Sequence, residues 1–214
     1  MLMTPKQESY KTQAHTIIKN LNKRNMAGYY CETAKDAQAY VAGLVAAGNT
    51  VSFGGSMTLF ESGIMEDLKA REDITLLDRN VCETAEEIQE IYHAAFDCDT
   101  YFMSTNAITL DGQLVNTDGT GNRVAALIYG PKEVIVIAGM NKVTSNIETA
   151  QARVKDIASP PNCVRLNRNT PCAATGKCHD CLTEDCICSQ TVITRRSAVK
   201  DRIKVVLVGE ELGY

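Results

Sequence analysis

Apolar residues recur along this chain in two alternating ways, as short β-type runs and as longer stretches at helical spacing. Residues 5–26 read as a helix carrying Ile17, Ile18 and Leu21 on one side, with no turn signal before Gly28. Thr33 and Asp36 open a second helix whose apolar face is Ala37, Val41, Leu44 and Val45. Residues 50–53 are a strand that runs into Gly54-Gly55-Ser56. Thr58 with Glu61 three residues on predicts a capping box, and Phe60, Ile64 and Leu68 form the buried face of the helix behind it.

The rhythm repeats. Residues 74–77 read as a strand, Thr84 and Glu87 cap a helix bearing Ile88, Ile91 and Ala95, and residues 101–104 form another strand. Asp111-Gly112 between two apolar runs predicts a β-hairpin with both turn residues at positive φ. Residues 122–129 form a short helix closed by Gly130-Pro131, and residues 134–138 suit a central strand. Ser145 and Glu148 cap a further helix using Ile147, Ala150, Val154 and Ile157. After Pro160-Pro161 the pattern changes, and residues 159–190 read as a loop with little to bury. Two β-type runs, 191–194 and 204–208, close the chain. Strands alternating with helices imply an α/β fold, a mainly parallel Rossmann-like sheet covered on both faces, with one inserted hairpin and a Cys-rich C-terminal loop. One domain over residues 1–214, including that 159–190 loop, accounts for the length.

Composition narrows the partners. Apolar residues make up 44% and charged residues 22%, which fits a chain with a real core. A net charge of −4 and the lack of tryptophan give no reason to expect nucleic acid. No apolar run is long enough to span a bilayer, and the N-terminal stretch lacks the apolar core of a signal peptide, so membrane insertion is not expected and a cytoplasmic location is. A homo-oligomer is compatible with this composition.

In a reducing compartment nine cysteines are better read as ligands, redox groups or small core residues than as disulfides. Five of them stand together as Cys172-x5-Cys178-x2-Cys181-x4-Cys186-x-Cys188. A Cys-x2-Cys pair turns two thiolates toward one centre, and further thiolates nearby complete a tetrahedral set. With only one such pair, the spacing suits a [4Fe-4S] cluster better than a zinc knuckle, zinc being the alternative. Cys163 is a distant extra candidate, His179 reads as solvent-facing, and Cys31, Cys82 and Cys98 read as packing residues.

Two other regions carry candidate binding groups. Gly54, Gly55 and Ser56 lie between a strand and a helix, where a ligand can approach the backbone. Asn106, and the run Asn116, Asp118, Gly119, Gly121, Asn122 and Arg123, offer polar side chains, flexible backbone and a guanidinium suited to a carboxylate or phosphate. The plainer reading of Arg123 is a pair with Asp118 that holds the loop. Asn141 and Lys142 follow the central strand at its carboxyl end, where α/β sheets place their sites. Asp111, Asp118 and Glu61 are the nearest carboxylates. No Ser-His-Asp or Cys-His set can be assembled from His15, His93 and His179.

The stretches Phe53 to Leu59, Ser104 to Gly112, Asn116 to Ala125, Gly139 to Val143 and Val205 to Tyr214 resemble the lactate-utilisation (LUD) domain family, over most of the chain. The resemblance implies a fold related to sugar-phosphate isomerases, CoA transferases and 5-formyltetrahydrofolate cyclo-ligase. It also implies an association with oxidation of L-lactate to pyruvate beside iron–sulfur partner proteins. The segment Thr175 to Cys181 is similar to a cysteine-bearing single-domain branch, in which Cys172, Cys178, Cys181 and Cys188 would be the four ligands and Cys186 an additional one.

Three functions are therefore expected candidates. The first is a redox protein that binds a small anionic hydroxy- or keto-acid and passes electrons through a cysteine-bound cluster. The second is a non-catalytic metabolite-binding or scaffold subunit with a structural zinc. The third, by fold analogy alone, is an isomerase- or transferase-like enzyme for a phosphorylated or CoA-linked substrate.

Overall fold

A computed structural model describes residues 3–214; Met1 and Leu2, the start of the N-terminal stretch read above, lie outside the described residues. The chain opens with α1 (Pro5–Lys23), started by a Thr4–Gln7 capping box with Pro5 in its first turn, and it buries Ala14, Ile17 and Leu21 on one stripe. There follow β1 (Ala27–Cys31), α2 (Ala34–Ala42), β2 (Thr50–Phe53), α3 (Met57–Glu61), α4 (Ile64–Ala70), β3 (Thr75–Leu77), α5 (Ala85–Ala94) and β4 (Thr100–Ser104). Next are β5 (Ala107–Thr109), β6 (Leu114–Asp118), α6 (Asn122–Ile128), β7 (Glu133–Gly139), β8 (Val143–Thr144) and α7 (Ile147–Arg153). The last elements are α8 (Ser159–Arg165), α9 (Pro171–Thr175), β9 (Gln190–Thr194) and β10 (Ile203–Val208).

Six strands form one all-parallel sheet in the order β1-β10-β7-β4-β2-β3. Its inner strands are apolar on both faces because helices cover both. On β7, Val134, Val136 and Ala138 join the core under α1 and α6. Ile135 and Ile137 alternate into the opposite core, with α2 and α4. The strand expected to be central is central.

The expected hairpin grows into a second, four-stranded sheet ordered β8-β5-β6-β9. Ile108 and Leu114 bury one of its faces in the main core, while Ala107 and Val115 pack against Ala150 and Val154. Its turn differs from expectation: of the pair, Gly112 alone has positive φ, at 84°. Its N–H donates to the Thr109 carbonyl at 2.8 Å, and Thr109 N–H donates to Gln113 O at 2.9 Å. This is a three-residue loop closed by a bulged glycine, which leaves Asp111 in an ordinary conformation.

Two caps move. α3 begins at Ser56, and the Thr58–Glu61 pair is spent on the C-terminal tail. Thr58 Oγ1 donates to Leu212 O at 3.2 Å and Glu61 Oε2 accepts from Gly213 N–H at 2.6 Å. The helix breaks at Gly63, in the left-handed region, so Phe60 faces outward while Ile64 and Leu68 are buried. α7 is capped by Asn146, whose Oδ1 accepts from Thr149 N–H at 2.9 Å, in place of Ser145 with Glu148. Ile157 is correspondingly exposed.

Segment 159–190 is also more structured than a loop. α7 passes without a break through a π-helical turn at Val154–Ala158 into α8, and Pro160 and Pro161 follow directly on that turn, where the helix's bonding pattern is already interrupted. α9, capped by Thr170, buries Cys172. Among the described residues no helix is long and apolar enough to cross a membrane.

Candidate functional site

Four parallel strands deliver their carboxyl ends to one side of the molecule, the end at which open α/β sheets bind ligands. After β2 come Gly54 and Gly55, after β4 Thr105 and Asn106, after β7 a turn through Met140–Lys142, and after β10 the tail to Tyr214. These segments and the loop between β6 and α6 enclose a cavity of about 260 Å³.

Arg123 organises this end, and it does so as a strut. Nη1 donates to Ser104 O (3.1 Å) and Asn116 Oδ1 (2.7 Å). Nη2 donates to Asn106 Oδ1 (3.0 Å) and Thr117 O (2.8 Å), and Nε lies 3.5 Å from Asp118 Oδ2. With every guanidinium nitrogen engaged by protein, the loop-holding role accounts for Arg123 without a ligand. Burial drives its pKa down, against the pull of Asp118. Asp118 in turn accepts the Gly121 and Val124 amides and so fixes the entry to α6.

The cavity wall is cationic. Besides Arg123 it includes Arg79, Lys142, Arg165 and Arg168, against one acidic side chain, Asp118. Arg79 donates to Tyr92 Oη at 3.3 Å and lies over that ring, while Arg165 leans on Asn162 Oδ1. Arg168 is 3.5 Å from Asp185. Lys142 is 2% exposed and donates to Tyr214 O at 2.7 Å. Burial, reinforced by Arg153 and Arg123 and opposed by Glu61, pushes its amine down to about 7. Arg153 ties the two loops beneath, donating to Asn141 O at 3.0 Å and Asn106 O at 2.7 Å. The Tyr214 hydroxyl is buried without a hydrogen-bond partner.

Of the binding residues read from the sequence, Gly55, Ser56, Asn106, Asp118, Gly119, Asn122, Arg123 and Lys142 line this cavity. Gly54 lies behind Arg123, Asn116 is buried beneath it, Gly121 starts α6, and Asn141 anchors Leu212 and Gly213. Asp111 sits elsewhere, in the hairpin turn, bound to Arg24 at 2.7 Å because the bulged loop turns it toward α1. Arg79, Tyr92, Arg165, Arg168 and Tyr214 are cavity residues that sequence reasoning missed. They come from segments with no motif of their own.

A second cavity of about 470 Å³ lies beside the first, and Thr117 and Ile187 belong to the walls of both. It is lined by six thiols: Cys163 from α8, Cys172 from α9, and Cys178, Cys181, Cys186 and Cys188 from the following loop. Backbone N–H groups donate to two of these sulfurs, Asp180 to Cys178 and Cys188 to Cys186, each at 3.4 Å. The Thr183 hydroxyl donates to Cys181 Sγ at 3.7 Å and is the main influence drawing that thiol below its usual range. Cys188 Sγ donates to Ser159 Oγ at 3.3 Å, and Thr170 Oγ1 is 3.3 Å from Cys172 Sγ. Burial pushes Cys163 up to about 11. The sulfurs are spread around the void: among the described residues no three His, Cys, Asp or Glu side chains are grouped to hold one metal ion. His179 is exposed and bonds Thr175. Cys31 and Cys98 are core residues and Cys82 is half-buried.

Comparison with known proteins gives three kinds of result. A family model described as the LUD domain matches residues 14–208. Among solved structures, a DUF162 family protein from Deinococcus radiodurans matches with a TM-score of 0.53 at 10% identity, over 93% of this chain and 98% of that one, a likeness of fold. Ribose 5-phosphate isomerase from Plasmodium falciparum (TM-score 0.34, 16% identity, 51% of each chain) matches over about half the length. So does eIF2B beta from Chaetomium thermophilum (0.36, 12%, 52% of this chain and 43% of that one). No curated protein matches. The family match spans both sheets and nearly all of both cavity walls, and the chain belongs to the LUD domain family.

Proposed function

We propose that this LUD domain protein binds a small anionic metabolite, a hydroxy- or keto-acid of the kind handled in lactate oxidation, in the cationic cavity, and carries a cysteine-ligated [4Fe-4S] cluster in the thiol-lined one. The observation that carries the reading is adjacency: one wall, containing Thr117 and Ile187, serves both cavities. The metabolite half is supported by the excess of cations over carboxylates.

The cluster half is supported by the donor set. Six thiols line one cavity, more than the four sulfurs that a single tetrahedral zinc ion takes. Amide and hydroxyl donors aimed at sulfur stabilise thiolates and tune such a centre. Cys172, Cys178, Cys181 and Cys188 are the proposed ligands, with Cys186 able to substitute. When bound, a cluster supplies one-electron transfer, and iron–sulfur proteins are the proposed redox partners. The chain's own part is to hold the acid among the cations of the first cavity and to present the thiols of the second to the cluster.

Anaerobic purification followed by iron and acid-labile sulfide analysis tests the cluster. About four of each per chain is the expected result. A colourless protein with one tightly held zinc would remove electron transfer and leave a metabolite-binding subunit with a structural metal. Calorimetry with L-lactate and pyruvate tests the other half independently.

A further inference from the structure

Resting on the metabolite-binding reading, we infer that the hydroxy- or keto-acid of the cationic cavity carries a second anionic group besides its carboxylate. Arg123 is matched by Asp118 and Arg168 by Asp185, each pair at 3.5 Å. Among the described residues Arg79 and Arg165 have no carboxylate within ion-pairing distance: Arg79 is bonded to a phenol and Arg165 to an amide oxygen, while Lys142 is held by the O of Tyr214, the last residue of the chain. Glu61, whose charge reaches Lys142, is bonded to the Gly213 amide.

These cations fall into two stations on different segments. Arg79 stands against Gly55 and Tyr92, and its Nη2 lies 2.5 Å from where a Cβ on Gly55 would be. Arg165 and Lys142 belong with Tyr214: Lys142 donates to its O at 2.7 Å, and Arg165 lies close enough to its hydroxyl to act on it electrostatically. A monocarboxylate can engage one station at a time and leaves the guanidinium of the other, half-buried at Arg79 and exposed at Arg165, without an anionic partner. Guanidinium groups suit carboxylate or phosphate in bidentate fashion, so each station can take either. Size agrees: a cavity of about 260 Å³ has room for more than a three-carbon acid.

The test is calorimetric titration of the full chain with 3-phosphoglycerate, L-malate, L-lactate and inorganic phosphate at one ionic strength. The expected result is that at least one of the two-group acids binds about tenfold or more tighter than lactate and phosphate. Arg79→Gln and Arg165→Gln should each remove that advantage without altering the circular-dichroism melt. Preference for 3-phosphoglycerate over malate identifies the second group as phosphate, and the reverse as carboxylate. Lactate binding as tightly as both two-group acids overturns the inference while leaving the metabolite site intact. Binding by none of the four overturns it together with the reading beneath it.

Discussion

Gly54 is what allows Arg123 to lie across the end of β2: a methyl group on Gly54 would sit 2.9 Å from Arg123 Cδ and 3.2 Å from the Tyr101 hydroxyl. Neither neighbour can yield, since Arg123 is tied at five points and Tyr101 is 1% exposed. Gly54→Ala is therefore expected to cost about 2 kcal/mol in urea unfolding, as overpacking does. Gly55→Ala meets only the end of the Arg79 side chain, which can swing away. It should leave stability within about 0.5 kcal/mol and weaken anion binding several-fold. Equal destabilisation by both substitutions would contradict this assignment.

Arg123 itself is predicted to matter for folding first. Arg123→Met takes a donor from two carbonyls and from Asn116 Oδ1, leaves Asn106 Oδ1 only the Thr117 amide, and leaves Asp118 without its ion pair in a largely buried site, and about 3–5 kcal/mol should be lost. Arg123→Lys should recover little, because a point charge with three donors cannot span four acceptors and Asp118 at once. A melt of Arg123→Met that matched the parent would show the loop to be held by other means.

Much of the scaffold was legible because local signals and tertiary packing agree. The caps at Thr33 and Thr84 and the apolar runs in β4, β7 and β10 all say what the fold does. Reading failed where a polar residue had a distant employer. Thr58 and Glu61 look like a cap but hold Leu212 and Gly213, a contact across more than 150 residues that no window can reveal. The same applies to the site. Asn106, Asp118 and Arg123 were visible as a polar loop, but Arg79 and Arg165 reach the cavity only through folding. Pro160 and Pro161 read as a break, whereas a π-helical turn at Val154–Ala158 carries the helix on to them.

Lys142 should give the protein a distinctive pH dependence. Its folded-state pKa, about 7, lies below the 10.5 of an ordinary lysine, so the folded chain binds fewer protons than the unfolded one between those values. Stability must then rise with pH in that window, the cost of the buried charge being fully present below pH 7. From pH 7 to 8 the gain should be about 1 kcal/mol, a window that stays below the usual thiol pKa of about 8.5. Urea denaturation at the two pH values measures it, and Lys142→Met should flatten the difference. A parent protein already flat over that range would mean that the amine stays charged when folded.

The last prediction concerns the wall between the cavities. A Cβ on Gly119, in the loop after β6, would come within 3.2 Å of the Ile187 Cα and 3.4 Å of its carbonyl oxygen. Ile187 stands between Cys186 and Cys188, and the Cys188 amide donates to Cys186 Sγ, so a push there is transmitted to two thiols. Gly119 has no positive φ, and alanine is conformationally acceptable. The shift needed is a few tenths of an ångström of backbone, enough to cost roughly 1 kcal/mol or less in global stability but more in a metal site, where sulfur positions are held within narrow limits. Gly119→Ala should therefore melt close to the parent yet surrender its metal to a chelator several-fold faster, read as the rate of iron or zinc release. Unchanged release, with Ser56→Ala as a control on the other side of the anion cavity, would show that the two cavities share a wall without being mechanically linked.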